Sequence, residues 1–305
     1  MNSLRNLYKA PYNKKFPVFA LYRFVYWKMI RLFKLKDVKY RLWNNRIIFL
    51  NYDSFQSMWV MYNYYVDWEE FNLISKYIQP ADEVFDIGAN MGFYTIWMSQ
   101  FITHGKIHSF EPDAGNFEKL QKNIALNNLQ TKVIANKKAA SDLDGELCFT
   151  QGLDGENHII EQTVQNAVTI LSQKIESYVE QLKIPAIAYM KIDVEGFEYA
   201  VLKGADTLLL NQRIDIIQLE INKTISNSGK SINDVLELLN HYQYRLYRYD
   251  VITNQLIGTV FSNERENYFA VNDLEKINLK LKNQASYNET SQSGLKIFNT
   301  SHVYN

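Results

Sequence analysis

The residues with chemistry in reach begin at the end of an apolar run. Asp86 stands in Glu83-Val84-Phe85-Asp86-Ile87, and Gly88 and Gly92 bracket Ala89-Asn90-Met91 directly after it. Glycine at both positions lets the backbone turn tightly and pass close to a bound small molecule. Twenty-five residues beyond Asp86, Phe110-Glu111-Pro112 puts a second acid at the end of the next apolar run. A carboxylate there can accept two hydrogen bonds from vicinal ribose hydroxyls, which makes Glu111 the candidate ribose clamp. Taken alone it reads as a solvated acid in a turn; its register with Asp86, Gly88 and Gly92 gives it the role. A dinucleotide pyrophosphate wants G-x-G-x-x-G. Here the spacing is D-x-G-x-x-x-G, with Asn90 where the second glycine would stand, and Asp86 would repel an anionic bridge. That carboxylate suits a cationic ligand instead, such as the ammonium and sulfonium of S-adenosylmethionine. The rings of Phe93 and Tyr94 could add cation–π contacts to the same group.

Such residues need a sheet to hold them. Between 83 and 221 short apolar runs alternate with amphipathic stretches, the pattern of a parallel sheet covered by helices. The runs predict strands at 83–87, 107–110, 132–135, 187–192 and 214–220, and helices at 91–102, 113–127 and 196–210. Asp144-Gly145 and Asp154-Gly155 mark turns in a small antiparallel excursion over 139–170. A helix at 231–241 then leads to strands near 244–249 and 267–271. Upstream, Arg46–Asn51 reads as a strand and Trp68–Ile78 as a helix; the Tyr and Trp residues around them fit core filling better than a sugar-binding platform. Three segments follow: a basic extension over 1–50, an α/β domain over 51–280, and a polar tail over 281–305, rich in Asn and Ser and expected to fray.

The motifs resemble the class I methyltransferases, and within them the FkbM family. The resemblance lies in Phe85–Thr95, in Phe110-Glu111-Pro112, and in Ala139-Ala140-Ser141-Asp142 followed by Gly145. Above all it lies in Lys191-Ile192-Asp193-Val194-Glu195-Gly196-Phe197-Glu198 with Val201-Leu202-Lys203-Gly204-Ala205, and it covers about residues 60–271. Leu171-Ser172 departs from the family's usual Leu-Asp. The resemblance implies a Rossmann-like α/β fold, with a mostly parallel seven-stranded sheet, helices on both faces and the last strand antiparallel. It also implies S-adenosylmethionine as methyl donor and O-methylation of a hydroxyl on a sugar, glycan precursor or related metabolite. By position Asp86, Gly88, Asn90, Gly92, Tyr94, Thr95 and Glu111 would line the cofactor, while Ala140 and Asp142 would approach the adenine edge.

Methyl transfer to a hydroxyl is an in-line displacement, so an enzyme contributes mainly by alignment and by a base within about 3 Å of the acceptor oxygen. The Lys191–Glu198 block ends a strand and enters a helix, which puts Asp193 and Glu195 where methyl and acceptor meet. Adjacent acids can raise one pKa into the range for base work while Lys191 holds the other ionised. In the plainer reading they only fix the turn and cap the helix. Glu220, ending the next strand, would complete a carboxylate cluster; such a cluster could instead hold a divalent cation, which nothing in the sequence requires. His158 follows Asp154-Gly155-Glu156-Asn157 in the excursion and is either a second candidate base or a surface histidine.

Composition narrows the remaining choices. The 305 residues are 47% hydrophobic, enough for a large core, and 33 Lys and Arg balance 33 Asp and Glu. A neutral total leaves no footprint for wrapping nucleic acid. Cys148 is the only cysteine, which excludes an intrachain disulfide and thiolate metal sites and points to a reducing cytoplasmic setting. The balance hides an asymmetry, because residues 1–46 hold twelve Lys or Arg and one acid, Asp37. Within them, 18–36 predict an amphipathic cationic helix, with Pro17 suited to its first position. Arg23, Lys28, Arg31 and Lys34 fall within an arc of about 140°, opposite Phe19, Tyr22, Val25, Met29, Leu32 and Phe33. Such a helix packs on the body with its basic face solvated, or makes a peripheral membrane contact through residues 16–36. It is too interrupted by charge to span, and no small-residue cleavage site follows, so the chain is expected to be unprocessed. Two other functions stay open: a nicotinamide-dependent oxidoreductase, against which the missing G-x-G-x-x-G counts, and a non-catalytic scaffold that binds cofactor without turnover.

Overall fold

The computed structural model describes residues 7–8, 10–65, 67–150, 159–160 and 167–291. The chain enters through α1 (Pro11–Lys15) and α2 (Pro17–Leu32), a hairpin of β1 (Val38–Arg41) and β2 (Ile47–Leu50), then α3 (Phe55–Asn63) and α4 (Trp68–Tyr77). Five strands follow that pair in parallel, all but the edge strand β5 buried on both faces: β3 (Val84–Ile87), β4 (Ile107–Phe110), β5 (Val133–Asn136), β10 (Ile187–Ile192) and β11 (Ile214–Glu220), in the spatial order β5-β4-β3-β10-β11. Beyond β11 the sheet turns antiparallel. β14 (Asn267–Val271) pairs with β11, β12 (Arg245–Asp250) pairs with β14, and β13 (Gln255–Gly258) closes the edge against β12. The implied mostly parallel Rossmann-like sheet is thus present, with β13 as an eighth strand. Only Leu256 in β13 is buried, too little apolar signal for a strand to show in sequence.

The excursion after β5 is a separate sheet of β6 (Ala139–Ala140), β7 (Gly145–Thr150), β8 (Ile159–Ile160) and β9 (Ala167–Gln173), ordered β6-β9-β7-β8. Its Asp144-Gly145 turn opens β7, and Ser172 donates to the Leu143 carbonyl (2.8 Å). Asp154-Gly155 and the candidate base His158 lie outside the described residues, as does the tail beyond 291. Helices cover both faces: α5 (Phe93–Met98), α6 (Ala114–Leu126), α7 (Ile175–Leu182), α8 (Glu198–Lys203), α9 (Asp206–Leu210), α10 (Ile232–His241) and α11 (Leu274–Ser291). The single helix predicted over 196–210 is two, α8 and α9. At their junction a Cβ on Gly204 would come 1.8 Å from the Ser141 carbonyl oxygen.

Alternation along the strands gives each sheet face its own core. Val84, Tyr189, Ile216 and Phe269 pack on one side with Phe71 and Trp97. Phe85, Met190, Ile217 and Tyr268 pack on the other with Val201, Leu208 and Val235. Trp27, Ile30, Trp43 and Ile48 belong to the first core, so much of residues 1–50 folds with the sheet.

The orientation of α2 corrects the wheel prediction. Ala20, Arg23, Trp27 and Ile30 face the body, and Arg23 is fully buried rather than solvated. Its Nε donates to the Met61 carbonyl (3.0 Å) and its Nη2 to Asn13 Oδ1. The guanidinium also lies 4.8 Å from the Phe19 ring and 5.1 Å from Tyr64. Burial lowers its pKa, with the tyrosines Tyr40, Tyr12 and Tyr64 opposing. A planar, weakly hydrated cation can enter such an aromatic box, and helical periodicity carries no sign of it. Val18, Leu21, Tyr22, Val25, Met29 and Leu32 are left exposed.

Candidate active site

A row of polar side chains crosses the first face of the sheet just below its carboxyl ends. Ser109, Asp86, Lys191 and Gln218 are register partners on β4, β3, β10 and β11, and all four are buried. Helix α5 satisfies most of them. Thr95 Oγ1 donates to Asp86 Oδ2 (2.6 Å) and sits 2.8 Å from Ser109 Oγ. Tyr94 accepts from Gln218 Nε2 (3.1 Å) and donates to Asp67 Oδ2 (2.5 Å). The Lys191 ammonium lies over the Tyr94 ring, 4.6 Å from its centroid, and Phe93 packs against Trp43 and Phe71. The expectation that these two rings are free to contact a cationic ligand is therefore corrected: Lys191 holds the Tyr94 face, and Phe93 is core. Thr95 likewise spends its hydroxyl on the protein. Asp86 keeps one oxygen, Oδ1, buried with no partner among the described residues. Burial pushes its carboxyl up, with Lys191 and Thr95 opposing.

The turn after β3 has positive φ at Gly88 (81°), Asn90 (49°) and Gly92 (89°). A Cβ on Gly88 would lie 1.8 Å from the carbonyl oxygen of Asp193, and one on Gly92 would lie 2.6 Å from Leu120 Cδ1. Gly88 is thus demanded by close approach of the β10 end as well as by the turn, a reason additional to ligand access. Glu111 braces the same turn, Oε2 accepting from the Asn90 amide (2.7 Å) and Oε1 from that of Asp113 (2.9 Å). Burial pushes its carboxyl up to about 8 against those two bonds. Each oxygen retains a second lone pair for a ribose hydroxyl. Further along, Ala140 is buried in β6, while Asp142 is exposed and accepts from Ser141 Oγ (3.0 Å).

Across β10 and β11 the acids are held by side chains. Lys191 Nζ is 2.8 Å from Asp193 Oδ2, and Glu220 hydrogen-bonds Asp193 from the next strand. Asn222 Nδ2 donates to Glu220 Oε1 (2.6 Å). The charge on Asp193, and burial after it, push Glu220 up to about 9. Burial acts to raise Asp193 too, but Lys191 and the hydrogen bonds outweigh it and hold that carboxyl below the usual range. The two carboxyls are thus shifted apart, Glu220 upward and Asp193 downward. Glu195 stands at φ 53° in the same turn and adds to the upward push on Glu220. Glu198 Oε1 takes the amides of Val194 (3.3 Å) and Gly196 (3.2 Å), so turn fixing falls on Glu198. Among the described residues no three His, Cys, Asp or Glu side chains are grouped to hold a metal ion.

Two acids escaped the sequence prediction. Asp67 and Glu70, at the start of α4, are both pushed up by burial, Glu70 to about 8. They line a cavity of about 740 Å³ with Glu69, Arg248, Asp250 and Arg265, beside the ends of β12 and β14. Arg265 pairs with Glu69 (2.5 Å). An acid before a Trp carries no motif, and only the Tyr94 contact reveals Asp67.

The family model of the methyltransferase FkbM domain matches residues 86–246, just over half of the chain and the stretch from Asp86 through Glu220. The chain belongs to the FkbM methyltransferase family. As a member it is an S-adenosylmethionine-dependent methyltransferase. Hexuronic acid methyltransferase AglP of Haloferax volcanii is 25% identical over 187 residues, 61% of this chain and 73% of that protein. Methyltransferase sdnD of Sordaria araneosa is 29% identical over 155 residues, 40% of this chain and 60% of that protein. A solved FkbM methyltransferase from Methylobacillus flagellatus aligns with 63% of this chain and 44% of its own at 15% identity and a TM-score of 0.41. The FkbM match leaves α2, Asp67 and β14 outside it.

Proposed function

We propose that this FkbM protein methylates a hydroxyl of a sugar or glycan precursor, with cofactor over the β3 and β4 ends and acceptor over β10 and β11. The observation that carries the reading is the chain of contacts Lys191–Asp193–Glu220 at the ends of β10 and β11, near a polar cavity. The residues present fit the methyl donor: Glu111 retains lone pairs for the ribose diol, and Asp86 has a buried oxygen without a partner, a suitable counterweight for positive charge. By family position Asn90, Ala140 and Asp142 complete that side. When bound, S-adenosylmethionine supplies a methyl on a cationic sulfur that leaves as a neutral thioether. Asp193 is the proton acceptor, its carboxylate oriented by Lys191, while the Glu220 proton spreads the charge of the pair. Both sides of a sugar hydroxyl, donor and acceptor, find partners among Glu69, Glu70, Asp250, Arg248 and Arg265. The relative named for hexuronic acid supports a sugar acceptor.

Calorimetric binding of S-adenosylmethionine to the full chain, followed by transfer of labelled methyl to a panel of sugars, nucleotide sugars and glycans, tests the reading. Binding is expected, with label in at least one sugar at a hydroxyl oxygen. Folded protein that binds no S-adenosylmethionine, or that transfers methyl to nitrogen or carbon acceptors and to no sugar, would overturn it.

A further inference from the structure

We infer that the outward face of α2 is a docking surface for an anionic lipid bilayer. The helix carries two apolar faces set back to back. Trp27 and Ile30 point into the first core, and the buried Arg23 fixes that side among Met61, Asn13 and aromatic rings. At 100° per residue, Val18, Leu21, Tyr22, Val25, Met29 and Leu32 span an arc of about 100° on the opposite side, and every one is exposed, Val18 by 81% and Leu32 by 75%. Phe33 and Leu35 extend the patch past the helix end. A contiguous apolar stripe this long is rarely left to water without a binding role.

Charge selects the occupant. Lys14 and Lys15 precede the helix, Lys28 and Arg31 flank the stripe, and Lys34 follows it; all five are exposed and form no ion pair with the described residues. The nearby acids are already engaged, Asp37 with Lys122 and Asp53 with Lys36. Apolar side chains rimmed by uncompensated cations match the acyl boundary and phosphate layer of an anionic leaflet. A second copy would bring the same cations against themselves across a two-fold axis. At 16 residues with Lys28 and Arg31 inside it, α2 lies in the interface plane and does not cross it.

Co-sedimentation of the full chain with phosphatidylcholine vesicles, and with vesicles containing about one third phosphatidylserine, tests the surface. Binding to the anionic vesicles is expected to be at least about tenfold tighter than to the neutral ones. Val25→Glu, and separately Lys28→Glu with Arg31→Glu, are each expected to weaken it about tenfold or more, while thermal unfolding and S-adenosylmethionine binding stay as in the parent. The inference is overturned if the parent does not pellet with anionic vesicles, or if Val25→Glu pellets equally well. It is overturned too if ultracentrifugation shows a dimer that Val25→Glu dissociates and that does not bind vesicles.

Discussion

The two halves of the site hold their acids by different means. At the β3 and β4 ends, Glu111 is tied to backbone amides from its own turn and the neighbouring one, and Asp86 to the hydroxyl of α5. At the β10 and β11 ends, Asp193 is tied to Lys191 and to Glu220 of the next strand, and Lys191 lies over the Tyr94 ring whose hydroxyl holds Asp67, so the contacts join groups far apart in the chain. The first half has an unpartnered carboxylate oxygen and feels a cation only from the neighbouring strand, where Lys191 stands in register with Asp86. The second half carries its cation within it and two carboxyls in contact, shifted in opposite directions. The difference separates a half suited to binding a cation from a half suited to moving a proton.

The sharpest way to break that division is to neutralise one acid in each half. Asp193→Asn removes the proposed proton acceptor and is expected to lower kcat by about 10²–10⁴-fold, with S-adenosylmethionine affinity within about threefold of the parent. Labelled-methyl kinetics and calorimetry on the same preparation check both numbers. If the cofactor affinity falls with kcat, the halves are not separable.

The joint between the halves is Gly88, whose Cβ would strike the Asp193 carbonyl. Gly88→Ala is expected to cost at least about 3 kcal/mol in urea unfolding, combining a backbone clash with positive φ. Gly92→Ala meets only the end of the Leu120 side chain, and about 1–2 kcal/mol is expected there. Equal losses at the two would mean that the turn, rather than the contact between strands, sets the requirement.

The cofactor half is tested more gently by Glu111→Gln, which keeps hydrogen-bonding capacity on one oxygen and loses the charge. Above pH 8, where the parent carboxyl is ionised, S-adenosylmethionine affinity is expected to fall about tenfold, with kcat at saturation nearly unchanged. In the parent, affinity should rise as pH increases through about 8, because the clamp needs the ionised carboxyl; the variant should lose that rise.

The same contrast explains what was legible. Asp86, Gly88 and Glu111 lie within one strand-helix-strand unit, so spacing alone brings them together, and the seven strands of the family sheet stand out as apolar runs. Asp67 could not be placed, since what joins it to the site is a phenol from α5. Strand β1, Val38-Lys39-Tyr40-Arg41, buries one side chain of four, and α3 lies in an aromatic stretch without clear periodicity. The wheel for α2 misplaces Arg23 because a charge is expected to seek water, whereas the Met61 carbonyl, the Asn13 amide oxygen and ring faces hold its guanidinium inside.

Ligand-free stability should register both halves at once. Glu111 and Glu220 have folded pKa values near 8 and 9, above the 4.5 of an unperturbed glutamate. Between those limits the folded chain binds protons that the unfolded chain has released, so their contribution to stability is complete below about 4.5 and is lost as pH rises toward 8 and 9. Asp193 is shifted the opposite way and acts only in acid, and Lys191 only in alkali above its usual range. From pH 6 to 8 each protonated glutamate should therefore remove about 1 kcal/mol of unfolding free energy per pH unit. Glu220→Gln and Glu111→Gln should each flatten the slope by one share. Saturating S-adenosylmethionine should flatten only the Glu111 share, since ribose hydroxyls donating to that carboxyl favour its ionised form. Urea unfolding at several pH values, with and without ligand, measures all four slopes; a ligand that flattened the Glu220 share instead would place the positive charge in the proton-moving half.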